Sequence, residues 1–200
     1  MQRVLRVVAL QPHDDKNGTV ATILKGALGV AVARARELGL DLNCSTVDLA
    51  DWLSREEPHN NSIPDSLKPI ANIITGADVV VVGMGVQWGV PYRLKQLFGC
   101  LTALESGKRA RLTGKVAFCF AHFHEDGAQA ALNEMYGILG HFGCATAPNS
   151  QAFRQKGFAD SENGWQEEVV RIGIINAITM AALFRGFLPA GQVFWLPHEE

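Results

Sequence analysis

The sequence predicts a three-layer α/β fold: a five-stranded parallel sheet of order 2-1-3-4-5 with helices on both faces. Three observations lead there. Short apolar runs alternate with helical stretches along the chain, the pattern of repeated βαβ units. The run at residues 77–83 (ADVVVVG) is apolar without alternation, as a strand covered on both faces must be. Five such strands within 200 residues favour the 2-1-3-4-5 order over the six-stranded doubly wound order.

Taken in order, residues 4–10 (VLRVVAL) form a β-branched apolar run closed by Gln11 and Pro12, and read as the first strand. Residues 18–38 are rich in Ala, Leu, Lys, Arg and Glu and end before Gly39, the helix-stop position. Residues 40–49 read as the second strand. Residues 51–66 carry Pro58, Asn60, Asn61 and Pro64 and read as a surface loop. A short helix at 68–75 precedes the third strand at 77–83. The alternation repeats with a helix at 92–104, a fourth strand at 115–121 (KVAFCFA), and a helix at 128–142 before Gly143. A short fifth strand at 144–147 is expected to stop at Pro148, and a long helix at 165–187 closes the chain. There is no internal repeat, so the whole of 1–200 is expected to be a single domain.

Composition narrows the function classes. Lys and Arg number 18 against 20 Asp and Glu, a net charge of −2, which lacks the basic excess of a nucleic-acid binder. A hydrophobic content of 48% with little net charge also excludes a disordered chain. Cys44, Cys100, Cys119 and Cys144 are scattered without a C-x-x-C pair, so no zinc or iron–sulfur signature arises and free thiols are expected. The N-terminal residues run straight into an apolar strand with no small-residue cleavage site. A cytoplasmic protein that engages neither nucleic acid nor membrane is the expectation. Residues 169–188 are interrupted by Arg171, Asn176, Thr179 and Arg185, too polar for a membrane span. Because that helix is apolar nearly all round, a second subunit is expected to cover one side, as a homodimer or homotetramer.

In doubly wound sheets the ligand lies beyond the carboxyl ends of the strands, at the point where the strand order reverses. That rule selects three loops: residues 11–19, 84–92 and 122–127. Two of them carry titratable residues. His13, Asp14 and Asp15 follow the first strand, and His122, His124, Glu125 and Asp126 follow the fourth. Imidazoles and carboxylates bind zinc, manganese or iron, so a metal-dependent hydrolase is one alternative on this fold, and a binding or regulatory protein another.

The segment ADVVVVGMGVQWGVPYRLKQLF at 77–98 resembles the third-strand segment of the flavodoxin-like NAD(P)H-dependent FMN reductases and NAD(P)H:quinone oxidoreductases. SGKRARLTGKVAFCF at 106–120 and LGHFGCATAP at 139–148 extend the resemblance, as does the closing helix. It implies a flavoprotein with FMN as cofactor and NAD(P)H as co-substrate. Hydride would pass from nicotinamide to flavin N5, and then to a quinone-like or flavin acceptor on the same face. The flavin supplies that chemistry, so no side chain is assigned as catalytic. By the resemblance, Lys16, Asn17, Gly18 and Thr19 hold the FMN phosphate at a helix N-terminus, where backbone N–H groups favour an anion. Gly85, Val86, Gln87, Trp88 and Gly89 line the ring edge, and His122, Phe123 and His124 lie on the other side of the ring. The loops also depart from the pattern. His13-Asp14-Asp15 replaces Ser-Pro-Arg, Gly85 replaces a proline, and of the glycine-rich third loop only Gly127 and Gln129 persist.

Overall fold

The computed structural model describes residues 3–12, 18–51, 63–86, 88–102, 111–123, 127–155 and 160–188. Ten main elements follow in strict alternation: β1 (Val4–Gln11), α1 (Thr19–Glu37), β2 (Asp41–Asp48), α2 (Lys68–Gly76), β3 (Val79–Val86), α3 (Tyr92–Cys100), β4 (Val116–Phe123), α4 (Ala128–His141), β5 (Ala145–Gln155) and α5 (Asp160–Phe184). The five strands pair in parallel in the order β2-β1-β3-β4-β5, the arrangement that the sequence predicts.

Strand alternation divides the interior into two cores. Val80 and Val82 of β3, with Ala117 and Cys119 of β4, face the layer of α2, α3 and α4. Val79 and Val81, with Val116, Phe118 and Phe120, face α1 and α5. The four consecutive valines of β3 therefore feed both cores, and all are fully buried. Helices α1 and α4 close as predicted at Gly39 and Gly143, where Leu40 N–H donates to the Ala35 carbonyl at 2.9 Å and Cys144 N–H to that of Leu139 at 3.0 Å.

Three expectations are corrected. Strand β5 does not stop at Pro148 but runs to Gln155 through a register shift, with Ala117 of β4 opposite Thr146 and Cys119 opposite Gln151. Side chains replace the missing ladder bonds. The Tyr136 hydroxyl of α4 accepts from Cys119 N–H at 2.7 Å, and Asn176 Nδ2 of α5 donates to the Pro148 carbonyl at 3.0 Å. Proline is tolerated at such an irregularity because no ladder donor is asked of it.

Helix α3 ends at Cys100 rather than at 104. The Thr102 hydroxyl donates to the Gly99 carbonyl at 3.0 Å, the kind of local bond that competes with helix continuation.

The closing helix starts five residues earlier than expected and is covered within one chain. Ile174, Ala177, Ile178 and Ala181 pack in the core shared with α1, and Ile172, Ile175, Asn176 and Thr179 are buried as well. Arg34 of α1 is itself buried and donates Nε–H to Thr179 Oγ1 at 3.2 Å. The scarcity of charge in α5 is thus explained by α1 and the sheet, not by a second subunit.

Candidate functional site

The order β2-β1-β3-β4-β5 places the reversal between β1 and β3. The segments leaving the carboxyl ends of β1, β3 and β4 are therefore neighbours along one sheet edge, with the N-terminus of α1 beside them. Of the predicted site residues, Lys16, Asn17, Gln87 and His124 lie outside the described residues. So do His13, Asp14, Asp15, Glu125 and Asp126, which leaves His122 as the one described member of the proposed metal set. Among the described residues no three His, Cys, Asp or Glu side chains gather as a metal site.

Helix α1 begins at Thr19 after Gly18, an extended residue that provides no side-chain cap, and its first turn holds no acidic residue. Among the described residues no side chain caps its opening N–H groups, and the helix dipole favours an anion there. The seating of this terminus depends on a glycine that the sequence reading overlooked. Gly83 of β3 lies directly under the Phe120 ring: a Cβ there would stand 2.7 Å from Phe120 Cζ and 3.1 Å from Val20 Cγ1. Val20 is the second residue of α1, so the Gly83–Phe120–Val20 stack sets how closely α1 approaches the reversal point. Gly83 follows four valines and precedes Met84, and nothing in that apolar run singles it out.

The β3 loop alternates between anchors and projection. Val86 is 2% exposed and Val90 6%, both in the α2–α4 core, whereas Trp88 is 75% exposed and Tyr92 74%. Val86 therefore offers a ligand only its main chain. Gly89 has open space where a Cβ would be. Pro91 precedes Tyr92 as the N-cap residue of α3, one place ahead of the first helical position. Both rings belong to the segment that leaves the carboxyl end of β3, where the doubly wound rule expects a ligand.

From the β4 side, His122 pairs in register with Gly85 and Phe123 with Val86. His122 is buried and falls on the α1 side of the sheet, in phase with Phe118 and Phe120. Phe123 points the other way and packs against the α2–α4 core. The expected group of His122, Phe123 and His124 is thus split by strand alternation, and Phe123 contributes to packing.

Next on the chain, Gly127 is left-handed (φ 88°) and caps α4 without a side-chain bond. A Cβ on it would be 3.0 Å from the Trp88 carbonyl carbon and 3.1 Å from its oxygen. The β3 and β4 loops are therefore in main-chain contact. Lys95 of α3 and Glu134 of α4 add an ion pair at 2.8 Å, roughly half-exposed and worth little by itself. Gln129, the other persisting residue, donates to Asn133 Oδ1 at 3.0 Å along the surface of α4.

No family profile and no curated protein matches the chain. Solved structures do. An oxidoreductase from Corynebacterium diphtheriae superposes with a TM-score of 0.70 at 13% identity, covering 91% of this chain and 99% of that one. RosB, solved with bound 8-demethyl-8-formylriboflavin-5'-phosphate, gives 0.68 at 15% identity over 92% and 81%. An NADH:FMN oxidoreductase in its apo form gives 0.59 at 16% identity over 98% and 97%. Azoreductase, quinone reductase and archaeal flavodoxin structures also match. At these identities the likeness establishes the fold: the chain has the flavodoxin-like fold. No helix among the described residues is long and apolar enough to cross a membrane.

Proposed function

We propose that the protein is an FMN-dependent NAD(P)H oxidoreductase that passes electrons to a quinone-like or flavin acceptor. The observation that carries the reading is the main-chain contact between Gly127 and Trp88, beside an α1 N-terminus with no side-chain cap. Close main-chain approach from two loops suits a planar ring, and a helix N-terminus that no described side chain caps suits a phosphate. Gly18 and Thr19 would hold the phosphate, with Lys16 and Asn17 preceding them. The main chain of 85–89 would hold the ring edge, Trp88 would cover a ring face, and His122 with His124 would close the other side. FMN, when bound, supplies the hydride and electron transfer. The chain's own residues bind, orient and exclude water.

The names of the neighbours support this reading at the level of oxidoreductase and flavin. The acceptor and the nicotinamide co-substrate rest on the resemblance of the motifs, whereas the homodimeric or homotetrameric assembly is the expectation drawn from the apolar helix at 169–188, whose buried face α1 and the sheet already cover. The test is direct. Added FMN should lose fluorescence on binding with a single-site isotherm, and the loaded protein should oxidise NADH or NADPH with a benzoquinone acceptor. A preparation that takes up no FMN overturns the reading. Sedimentation tests the assembly, where a 21.7 kDa species at micromolar concentration rejects it.

A further inference from the structure

The opposite edge of the sheet holds a second candidate site. A cavity of about 720 Å³ opens there among the amino ends of β1, β3 and β4 and the carboxyl ends of α2 and α5. Its described lining carries four cationic side chains, Arg3, Arg6, Lys115 and Arg185, against one carboxylate, Asp78. That is a formal excess of three in a chain whose net charge is −2. The two helix carboxyl ends each offset about half a charge, so an excess of about two remains.

Asp78 is the one described carboxylate of the lining, and its two oxygens are already engaged. One of its oxygens accepts the Arg6 main-chain N–H at 2.8 Å, and the other lies 3.6 Å from Arg185 Nε. Arg185 in turn lies over the Phe187 ring, 5.8 Å from its centroid, and Arg3 reaches the Phe187 carbonyl at 3.4 Å. Lys115 Nζ donates to the Ala77 carbonyl at 2.6 Å, which leaves its other two donors directed elsewhere. The Arg6 guanidinium has no hydrogen-bond or ion-pair partner among the described residues. Burial lowers the Lys115 amine from its ordinary range, against the opposing pull of Asp78.

We infer that this cavity binds a phosphate-bearing small molecule, with Arg3, Arg6 and Lys115 on the phosphate and the Val4 and Phe187 side chains against the remainder. A dianion matches the residual charge. Forked guanidinium donors suit phosphate oxygens. The volume falls within the ordinary range for small-molecule sites, about 300–1,000 Å³. The inference is independent of the flavin reading, because the two sites lie at opposite ends of the strands.

The test is a ¹⁵N NMR titration of the full chain with inorganic pyrophosphate at constant ionic strength. Saturable shifts are expected at Gly76, Asp78 and Lys115, at low millimolar concentration. The double variant Arg3→Gln/Arg6→Gln removes two exposed charges without touching the core, and should weaken those shifts at least tenfold while keeping the melting temperature. Shifts at Gly18 and Thr19 report the other end of the sheet and should be unchanged in the double variant. Absence of saturable shifts at the amino edge overturns the site. So does equal affinity in the double variant. An equal response to citrate overturns the assignment to phosphate.

Discussion

The Cα of Gly127 rests against the main chain of Trp88, so that a Cβ would stand 3.0 Å from the Trp88 carbonyl carbon. Both the contact and the left-handed φ of 88° demand glycine. Gly127→Ala is therefore expected to cost about 1–3 kcal/mol of stability from backbone strain. It should also push the β3 and β4 loops apart. On the flavin reading, FMN affinity should fall by about tenfold or more, which corresponds to about 1.4 kcal/mol. Thermal unfolding and flavin fluorescence measure the two effects separately. Unchanged FMN affinity in a folded variant would show that this contact does not shape the ring site.

Trp88→Ala should separate binding from stability in the opposite way. The side chain is 75% exposed, so its removal should leave the urea midpoint nearly unchanged, within about 0.5 kcal/mol. Loss of an aromatic face over a bound ring should weaken FMN or acceptor affinity by about tenfold. A variant with wild-type FMN affinity and wild-type turnover would place Trp88 outside the site.

Gly83→Ala tests the stack beneath α1. The added methyl would fall 2.7 Å from Phe120 Cζ and 3.1 Å from Val20 Cγ1, an overpacking that costs about 1–3 kcal/mol. Pairing it with Phe120→Leu makes room for the methyl, so the double variant should recover part of the loss. Additive destabilisation in a double-mutant cycle would contradict the contact.

These three positions show what a linear sequence discloses. The fold was legible because strand burial on two faces leaves continuous valine runs, and because Gly39 and Gly143 mark helix ends. The edge at which the doubly wound rule expects a ligand follows from strand order alone. The path of β5 beyond Pro148 was not legible, since Tyr136 and Asn176, which supply the bonds that the ladder lacks there, are distant in sequence from Cys119 and Pro148. The cover of α5 was misjudged for a similar reason. The buried bond from Arg34 to Thr179 joins residues 145 apart, and Arg34 reads as a surface charge until α1 and α5 are in place. Gly83 escaped notice because close approach to Phe120 is a property of the packed sheet.

The bond at the β5 irregularity has its own test. Tyr136→Phe removes the hydroxyl that accepts from Cys119 N–H at 2.7 Å and leaves a buried donor unpaired, at a cost of about 1–3 kcal/mol. Hydrogen exchange at the Cys119 amide should accelerate more than at Val81, which lies in the undisturbed β3–β4 register. Equal exchange at the two sites would show that the hydroxyl does not hold the ladder together.

The buried thiols give the stability a defined dependence on alkaline pH. Burial pushes the Cys144 thiol up to about 12 from an ordinary value of 9.0, against the opposing pull of Lys115. Burial also raises Cys119, in spite of its bond to Tyr136. In the unfolded chain both thiols ionise near pH 9, whereas in the fold they keep their protons. Unfolding above pH 9 therefore releases protons, and stability falls as pH rises from about 9 towards 12. Lys115 acts in the reverse sense. Its amine is depressed in the fold by burial, so the unfolded chain holds that proton longer and stability is gained as pH approaches 10.5. Two buried thiols outweigh one half-buried amine, and the urea midpoint should decline between pH 8.5 and 10. A Cys119→Ala/Cys144→Ala variant should flatten that decline or reverse it. In native protein at pH 8, iodoacetamide should label exposed Cys44 well before Cys119 or Cys144, which should react only on unfolding. A midpoint that rises with pH in the unaltered protein, or rapid labelling of Cys144 in the folded state, would contradict the burial of these thiols.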